Sequence, residues 1–397
     1  MTMTRRDWMA RATTLSAGGV ALASGCAPRG TNPAAETDSF ARFPGKVAMR
    51  VVNDRPPCLE TPWSYYRTDI TPNEAFYVRW HLQAIPPPAD LAIWRLKIDG
   101  AVERPLELSM ADLERMGASE VVAVNQCSGN SRALFTPRVA GAQWRDGAMG
   151  NARWGGVALA KLLRAAGVKK DADCVAFDGL DVGPLASTPD FVKTLSIDHA
   201  LSPEVLVAHS MNNQPLPWLN GFPARLVVPG WYATYWVKAL ARITVLPRPF
   251  DGYWMTKAYK LPKTPNGVED PTRLAADLVP ISRLNARSFF TSPDPDSTLP
   301  LNQTSLIEGI AFDGGGVQRV EVSVDPVGPW QDAILGDDLG PFSFRRWRFA
   351  WNPPSAGVHR LRVRATGRVG GVQPETPGWN RGGYMRNVVE QLTINVV

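Results

Sequence analysis

The segment Val121-Val122-Ala123-Val124-Asn125-Gln126-Cys127-Ser128-Gly129-Asn130 joins an apolar run to a polar turn. Four consecutive apolar residues, three of them β-branched, predict a short buried strand. Ser128, Gly129 and Asn130 are residue types that favour a tight turn directly after it. We therefore expect Cys127 to lie at the end of a buried strand, where functional side chains are frequently placed.

Cys127 taken alone has several interpretations. A free cysteine is most often a buried structural thiol, and composition alone favours that interpretation. Arg132, five residues downstream, would place a cation near the sulfur and favour a thiolate, either as a metal ligand or as a nucleophile. A nucleophilic cysteine needs a histidine base. Four histidines are present and none lies in a local motif, so the residues themselves leave both roles open: His81, His199, His209 and His359.

The residues on either side of this segment predict a mixed α and β region. Trp94, Leu96 and Ile98 alternate with charged residues, as in a half-buried strand. Further strands are expected at 76–82, 226–230 and 243–246. Two helices are expected, one capped by Ser109 and running through Met116, the other over 157–166 and ended by Gly167.

Beyond about residue 271 only the two-residue period of strands remains. Val320, Val322 and Val324 alternate with polar residues, and the same pattern recurs at 360–365 and 391–396. The sequence predicts an all-β, immunoglobulin-like sandwich over 272–397, following a domain over 31–271. The predicted fold class is thus α+β. Gly314-Gly315-Gly316 lacks the strand–turn–helix context of a phosphate loop and is interpreted as a hairpin turn.

Residues 1–30 are typical of an export signal. Thr4-Arg5-Arg6-Asp7-Trp8-Met9 is a twin-arginine pattern, followed by a weakly apolar stretch that is too short for a membrane-spanning helix. Twin-arginine export predicts a periplasmic protein that folds before it leaves the cytoplasm. Leu22-Ala23-Ser24-Gly25-Cys26 also resembles a lipoprotein cleavage site, which would anchor the mature chain through Cys26. The sequence does not decide whether Cys58 and Cys174 form a disulfide.

The charge balance excludes one class of partner. The 43 Lys and Arg residues against 37 Asp and Glu give a formal net charge of +6. This excess favours anionic substrates or an acidic partner, but no dense basic block indicates nucleic-acid binding.

Several motifs, in order along the chain, closely resemble the sulfite oxidase family. They cover about residues 50 to 260, with a weaker match at 377–381. The resemblance is strongest to bacterial periplasmic sulfite dehydrogenases that lack a fused haem domain. The matching segments are Phe76–Leu82, Asn125–Arg132, Trp144–Ala148, Asn151–Gly156, Met211–Pro217 and Asn220–Gly230.

The resemblance implies a molybdenum–molybdopterin cofactor, with Cys127 as the thiolate ligand of the metal beside the dithiolene of the pterin. A soft thiolate suits a redox-active metal of this kind. The residues implied at the substrate site are Arg79, Arg132, Tyr259, Trp144 and, at the weaker match, Arg381. Guanidinium groups fit a sulfur oxyanion because their planar fork can donate two parallel hydrogen bonds.

The same resemblance implies which residues bind the pterin. Arg225 and Lys238 would pair with its phosphate, and His81 would bond its ring system. Asn220 stands where vertebrate members have histidine, which should make the phosphate pocket depend more on Arg225 and Lys238. The full implied set is Tyr77, Arg79, His81, Cys127, Asp181, Asn220, Arg225, Trp236 and Lys238.

The activity implied by the resemblance is oxidation of sulfite to sulfate. The chain has no Cys-x-x-Cys-His haem site, so electrons would leave to a separate c-type cytochrome. The second domain implies a homodimer, with a heterodimer containing a haem subunit as the alternative. Rival hypotheses are a molybdenum enzyme acting on sulfane sulfur or on an S- or N-oxide, a non-catalytic envelope binding protein and a cysteine hydrolase. Arg79-Trp80-His81-Leu82 favours the sulfite type.

Overall fold

Short strands form most of the regular structure in the part of the chain that the computed structural model describes. That part comprises residues 39–325 and 328–397. The predicted signal peptide and the predicted lipid-attachment residue Cys26 lie outside the described residues. Among the described helices, none combines the length and the apolar character needed to cross a bilayer.

The first region, residues 39–280, contains sixteen strands and four short α-helices among its described residues. The helices are α1 (Met110–Arg115), α2 (Leu159–Ala166), α3 (Ile197–Ala200) and α4 (Tyr253–Thr256). The strands are β1 (Phe40–Arg42), β2 (Ala48–Asp54), β3 (Pro57–Glu60), β4 (Val78–Arg79), β5 (Leu96–Gly100), β6 (Leu106–Leu108), β7 (Ser119–Gln126), β8 (Met149–Ala158), β9 (Cys174–Gly179), β10 (Lys193–Ser196), β11 (Leu206–Met211), β12 (Gln214–Pro215), β13 (Arg225–Val227), β14 (Leu240–Leu246), β15 (Lys260–Pro262) and β16 (Leu278–Pro280). The predicted mixture of helix and strand is therefore weighted strongly toward strand.

The second region contains only strands in its described residues. They are β17 (Arg287–Ser292), β18 (Thr298–Leu299), β19 (Ser305–Phe312), β20 (Val317–Val324), β21 (Trp330–Asp332), β22 (Ile334–Leu335), β23 (Arg345–Trp351), β24 (Gly357–Gly367) and β25 (Glu390–Val396).

The strand predicted before Cys127 is confirmed as β7. It pairs antiparallel with β8 in the sheet ordered β12-β11-β8-β7, and Gln126, its last residue, pairs with Met149. Residues 122–130 are buried without interruption. Cys127 therefore directly follows the last residue of the edge strand β7, at the start of a buried turn.

The segment 76–82 is largely not a strand, contrary to prediction. Only Val78 and Arg79 pair, as β4, with β3. The alternation in this segment separates two environments. Val78 and Trp80 pack into a small apolar cluster, whereas Tyr77, Arg79 and His81 line a cavity. An extended chain buried on both faces produces the same period as a sheet strand.

Both helix predictions are confirmed with shifted ends. Ser109 caps α1 through a reciprocal bond pair with Asp112, the predicted capping box. The second helix, α2, begins at Leu159 because residues 157 and 158 still belong to β8. Gly167 ends it with a φ of 73°, a backbone conformation that favours glycine.

The second region is a β-sandwich. Its sheets run β17-β19-β23-β22 and β18-β25-β24-β20-β21. Both contribute to one apolar core, with Ile307, Trp347 and Phe349 from the first sheet and Val320, Val363 and Ile394 from the second. The immunoglobulin-like topology and the domain boundary at 271 stay predictions.

The Gly314–Gly316 segment is not a hairpin turn, contrary to our interpretation. The strands that it joins, β19 and β20, belong to different sheets. The buried Asp313 carboxylate accepts hydrogen bonds from the Gly315 and Val369 amides, and these bonds fix the connection between the two sheets. A two-residue period shows that a strand exists but does not show which sheet it joins.

A buried ionic network joins the sandwich to the turn that carries Cys127. The Arg287 guanidinium, on β17, donates to Ser131 Oγ at 2.7 Å, to Asp146 at 3.2 Å and to Glu390, on β25, at 2.9 Å. Ser131 Oγ also bonds Asp146. The Arg287 side chain is 1% exposed, and all three contacts come from its Nη2, whereas Nε and Nη1 have no hydrogen-bond partner among the described residues.

Replacing Arg287 by Met should lower the free energy of unfolding by about 3–5 kcal/mol, because it removes the buried cation from Asp146 and leaves Glu390 with Arg386 alone. Urea denaturation of the purified protein measures the change. Arg319→Met is the matched control: that side chain is 51% exposed beside Glu321 and Asp332, and its loss should cost less than about 1 kcal/mol. Equal small losses in both variants would contradict a structural role for the network.

Candidate active site

The turn of residues 127–131, named here the Cys127 turn, is held by backbone and side-chain hydrogen bonds. Cys127 N donates to Ala148 O at 2.9 Å, and Asn130 N donates to Cys127 O at 3.0 Å. The Asn130 side chain accepts from Ala148 N and donates to Asp146 O. A Cβ at Gly129 would lie 2.5 Å from the Arg132 guanidinium, so that position needs glycine. The turn is therefore fixed before any ligand binds.

Cys127 lines a cavity together with twelve other residues. Eight residues of the sequence-derived set line it: Tyr77, Arg79, His81, Cys127, Asn220, Arg225, Lys238 and Tyr259. The other lining residues are Asn125, Ser128, Leu219, Ala233 and Thr234. Side chains more than 170 residues apart in the sequence thus meet in one place.

Three cationic side chains line the cavity: Arg225 is buried, and Arg79 and Lys238 are partly buried. Burial, with the neighbouring Arg225 and Arg79 cations, lowers the pKa of Lys238 to about 7, although Asp181 opposes the shift. Burial also lowers the pKa of Arg225 to about 10. For Arg79 burial acts in the same direction, but Tyr259, Cys58 and Cys127 outweigh it and raise its pKa above the usual value. This charge suits an anion.

Unpartnered polar atoms test whether a pterin fits. Five buried atoms of lining residues have no hydrogen-bond partner among the described residues: Arg79 Nη1, Asn125 Nδ2, Ser128 Oγ, Arg225 Nε and Thr234 Oγ1. Each can donate a hydrogen bond, and leaving a buried donor unsatisfied costs about 1–3 kcal/mol. A pterin with a phosphate group offers several acceptors, and Cys127 offers one soft metal ligand. The residues present therefore fit the implied cofactor.

His81 and Tyr259 form a neutral pair. His81 Nε2 and Tyr259 Oη lie 2.6 Å apart, and the His81 ring stacks on Phe191 with centroids 3.5 Å apart. Burial, followed by the charges of Arg79, Lys238 and Lys193, lowers the pKa of His81 well below its usual value. Burial likewise raises the pKa of Tyr259. Tyr259 also has a φ of 56°, rare for a non-glycine residue. The pair adds hydrogen-bonding capacity without adding charge.

Lys46 does not line the cavity but contacts Asn220, which does, and the sequence did not reveal this role. Its Nζ donates to Asn220 Oδ1 at 2.6 Å and to the carbonyls of Asn73 and Phe76. Burial lowers its pKa to about 7. The Lys46 amine thus stands directly behind Asn220, so the phosphate pocket need not depend on Arg225 and Lys238 alone. No motif surrounds Lys46, and its contacts span up to 174 residues.

Three residues of the implied set lie behind the cavity wall. Trp144 is fully buried, edge-on to Tyr77, with its indole N–H unpartnered. Trp236 donates to Trp231 O and lies beside the Arg225 guanidinium. Asp181 is buried, which raises the pKa of its carboxyl, and Lys238 opposes that shift.

The two remaining arginines have different positions. Arg132 donates to the carbonyls of Gly382 and Ala142, each at 3.2 Å, and packs against the Cys127 turn. Arg381 binds Glu269 through both Nε and Nη2, at 3.0 Å and 2.6 Å, and does not line the cavity. That pairing lowers the pKa of Glu269 to about 2. The structure therefore does not bring the Arg381 guanidinium to the position that the weaker match implied.

A second cleft, of about 710 Å³, shares Arg79 and His81 with the first. Its other lining residues are Val52, Asn53, Pro56, Cys58 and residues 141–143.

Cys58 and Cys174 are both free thiols, so the disulfide left open by the sequence is absent from the described residues. Cys58 instead lies near Arg79, and burial raises the pKa of its thiol to about 11.

Comparison with known proteins gives consistent matches along the chain. Residues 82–254 match the family described as oxidoreductase molybdopterin binding domain, and residues 279–397 match the Mo-co oxidoreductase dimerisation domain. The mitochondrial sulfite oxidase of Rattus norvegicus is 33% identical over 386 residues, covering 92% of this chain and 69% of the rat protein. A nitrate reductase [NAD(P)H] of Hordeum vulgare is 31% identical over 352 residues, which cover 82% of this chain but only 39% of the barley protein.

Among solved structures, the sulfane dehydrogenase SoxCD of Paracoccus pantotrophus shares the fold. The TM-score is 0.73 at 24% sequence identity, and the match covers 97% of this chain and 98% of the other.

Phosphate binding by the protein without its cofactor should be accompanied by proton uptake at Lys238. With a pKa near 7, Lys238 is mostly neutral at pH 8, and an adjacent oxyanion favours its protonated form. Phosphate affinity should therefore fall as pH rises through 7. Calorimetry at pH 8 in two buffers of different ionisation enthalpy measures the uptake.

Lys238→Met should remove part of this uptake, whereas the proton contribution of phosphate itself is common to both proteins. Lys193→Met is the matched control, because Lys193 is also buried with a pKa lowered to about 7 but does not line the cavity. Identical uptake in the wild type and in Lys238→Met would rule out Lys238 as the phosphate partner.

Proposed function

The chain belongs to the sulfite oxidase family of molybdopterin-dependent oxidoreductases, and from this premise we propose that it oxidises sulfite to sulfate and passes the electrons to a c-type cytochrome. One observation carries the proposal: Cys127, Arg79 and the neutral Tyr259–His81 pair meet at one cavity, and Arg132 packs against the Cys127 turn. A soft metal ligand beside guanidinium groups suits redox chemistry on a small oxyanion.

The cofactor is molybdenum bound by molybdopterin. When bound, it supplies a metal centre that accepts two electrons and transfers an oxygen atom. Cys127 would be its protein ligand, and Arg225 and Lys238 would pair with the phosphate. Asn125 and Thr234 offer the unpartnered Nδ2 and Oγ1 atoms to the ring system.

Arg79 and Arg132 would hold the oxyanion. Arg132 is already oriented by two carbonyls, and Arg79 lines both clefts with an Nη1 that has no hydrogen-bond partner among the described residues. Groups held in place before the reaction stabilise developing charge without a reorganisation cost. The cleft of about 710 Å³ gives the anion a route to Arg79.

The reaction consumes water and releases two protons with two electrons: SO₃²⁻ + H₂O → SO₄²⁻ + 2 H⁺ + 2 e⁻. Tyr259 Oη keeps its proton, because burial raises its pKa, and can donate a hydrogen bond to a substrate oxygen. His81 Nε2 orients that hydroxyl from 2.6 Å. The pair therefore positions a donor while the two arginines carry the positive charge.

Assays with alternative substrates test the specificity. Sulfite should reduce cytochrome c in the presence of the enzyme, whereas thiosulfate conjugates should do so far more slowly. Faster turnover of sulfane sulfur, or reduction of an S- or N-oxide such as nitrate, would replace the sulfite assignment. A chain that carries no molybdenum from a cofactor-competent host would instead support a non-catalytic binding role.

We also propose export to the periplasm by the twin-arginine route and a homodimer joined through the second region, which matches a dimerisation domain. Mass spectrometry of the mature N-terminus tests the first proposal: a lipidated Cys26 supports anchorage, and an unprocessed Met1 contradicts export. Light scattering tests the dimer against a monomer or a heterodimer with a haem subunit.

Replacing Cys127 by Ser should abolish sulfite-dependent cytochrome c reduction, because a hydroxyl is a poor substitute for a soft thiolate ligand. Cys174→Ser is the matched control, since Cys174 is another free thiol but lies on β9, outside the cavity lining. The control should keep wild-type turnover. Full activity of Cys127→Ser with molybdenum still bound would refute the metal-ligand role.

A further inference from the structure

The segment 380–386, named here the 380s loop, belongs to the second region and reaches the Cys127 turn. Asn380 closes it internally: its Oδ1 accepts from Tyr384 N at 3.0 Å, and its Nδ2 donates to Tyr384 O at 2.9 Å. The Arg381–Glu269 pair fixes the base of the loop. The loop is therefore a defined structure rather than a loose connection.

Three contacts seat the 380s loop against the Cys127 turn and Arg132. Met385 N donates to Ser128 O at 2.7 Å, and Arg132 Nε donates to Gly382 O at 3.2 Å. Gly383 has a φ of 57°, and a Cβ there would lie 2.8 Å from Arg132 Cγ. Both the backbone conformation and the lack of space require glycine. The second region thus touches the guanidinium that we propose for substrate binding.

Tyr384, at the tip of this loop, lies between two proposed substrate residues. The guanidinium carbon of Arg132 is 5.1 Å from the centroid of its ring. The ring also stacks on Tyr259, with centroids 5.5 Å apart and planes at 29°. Tyr384 is only partly buried. The 380s loop therefore places a tyrosine ring beside Arg132, and not the Arg381 guanidinium that the resemblance implied at the substrate site.

The aromatic ring has two physical consequences for anion binding. A guanidinium within about 6 Å of a ring face is attracted to it, which restrains its orientation. The ring also adds no charge beside Arg132. Burial raises the pKa of the Tyr384 hydroxyl, which keeps it neutral near pH 7.

We propose that Tyr384 determines the anion affinity of the substrate site: its ring positions the Arg132 guanidinium and places an uncharged group beside it. The proposal rests on the proposed function for the identity of the substrate. A site with an uncharged ring beside Arg132 binds divalent sulfate less strongly than one with a further cation there would, which favours release of the product. Tyr384 is in this sense a positioning residue that acts through Arg132.

Three variants of the molybdenum-loaded enzyme test the proposal. Tyr384→Leu removes the ring, Tyr384→Phe keeps it without the hydroxyl, and Tyr65→Leu is a control at another partly buried tyrosine outside the cavity lining. The readouts are the dissociation constant of sulfate by calorimetry, and KM and kcat for sulfite. Thermal melting and molybdenum content verify that each variant is folded and loaded.

Tyr384→Leu should weaken sulfate binding and raise the sulfite KM by about 5- to 30-fold, the range expected for a lost cation–π contact. Its kcat should change much less, since the metal site is intact. Tyr384→Phe and Tyr65→Leu should stay within about twofold of the wild type. Tyr384→Met, which keeps more side-chain volume, replaces Tyr384→Leu if the latter does not fold.

Unchanged sulfate affinity and KM in Tyr384→Leu would overturn the proposal, as would an equal loss in Tyr384→Phe. Calorimetry needs no turnover, so it tests the role of Tyr384 separately from the proposed oxidation of sulfite. A wild type that binds sulfate but does not oxidise sulfite would refute the proposed function and leave the role of Tyr384 intact. A wild type that binds no sulfate would contradict the anion pocket and, with it, the role of Tyr384.

Discussion

The bond from Arg287 to Ser131 and Asp146 is the constraint on which the site depends. It joins a strand of the sandwich to the Cys127 turn through a guanidinium that is almost inaccessible to water. Hydrogen-bonded acceptors offset part of the cost of burying a cation, and here two carboxylates and a hydroxyl accept from Nη2. Because Ser131 directly precedes Arg132, the position of that arginine depends on a residue in the other region. The two regions therefore fold around one shared site.

The charge distribution of the cavity has a related cause. Lys46, Arg79, Arg225 and Lys238 lie close together and are at least partly buried, and burial lowers the pKa of both lysines to about 7. An arrangement of this kind is unfavourable in an empty protein, because each cation has lost hydration and repels its neighbours. An anionic cofactor reverses both penalties, and binding energy of this kind adds to folding stability. The cavity is therefore matched to a ligand that carries a phosphate, and its cost to the fold is offset only when that ligand is bound.

Features that depend on local sequence could be predicted, and features that depend on distant contacts could not. β7, the α1 capping box and the alternation in β20, β24 and β25 follow from neighbouring residues, and all are present. Cys127 and the residues around the cavity came from ordered motifs, and eight of them line it. Lys46 and Arg287 carry no local signal: the side-chain partner of Lys46, Asn220, and all three partners of Arg287 lie more than a hundred residues away. The segment 76–82 mimics a strand because one of its faces packs in the core and the other lines the site.

Arg381 shows why a matching residue type does not fix a role. The 380s loop carries it one residue before Gly382, whose carbonyl accepts from Arg132, and its own side chain is fully engaged by Glu269. The loop thus contributes a carbonyl, a close glycine contact and an aromatic ring to the site, but no cation. The ring acts on Arg132 and Tyr259, and none of these groups contacts Arg225 or Lys238. Changes in the ring can therefore alter anion affinity without altering the two residues proposed to pair with the cofactor phosphate.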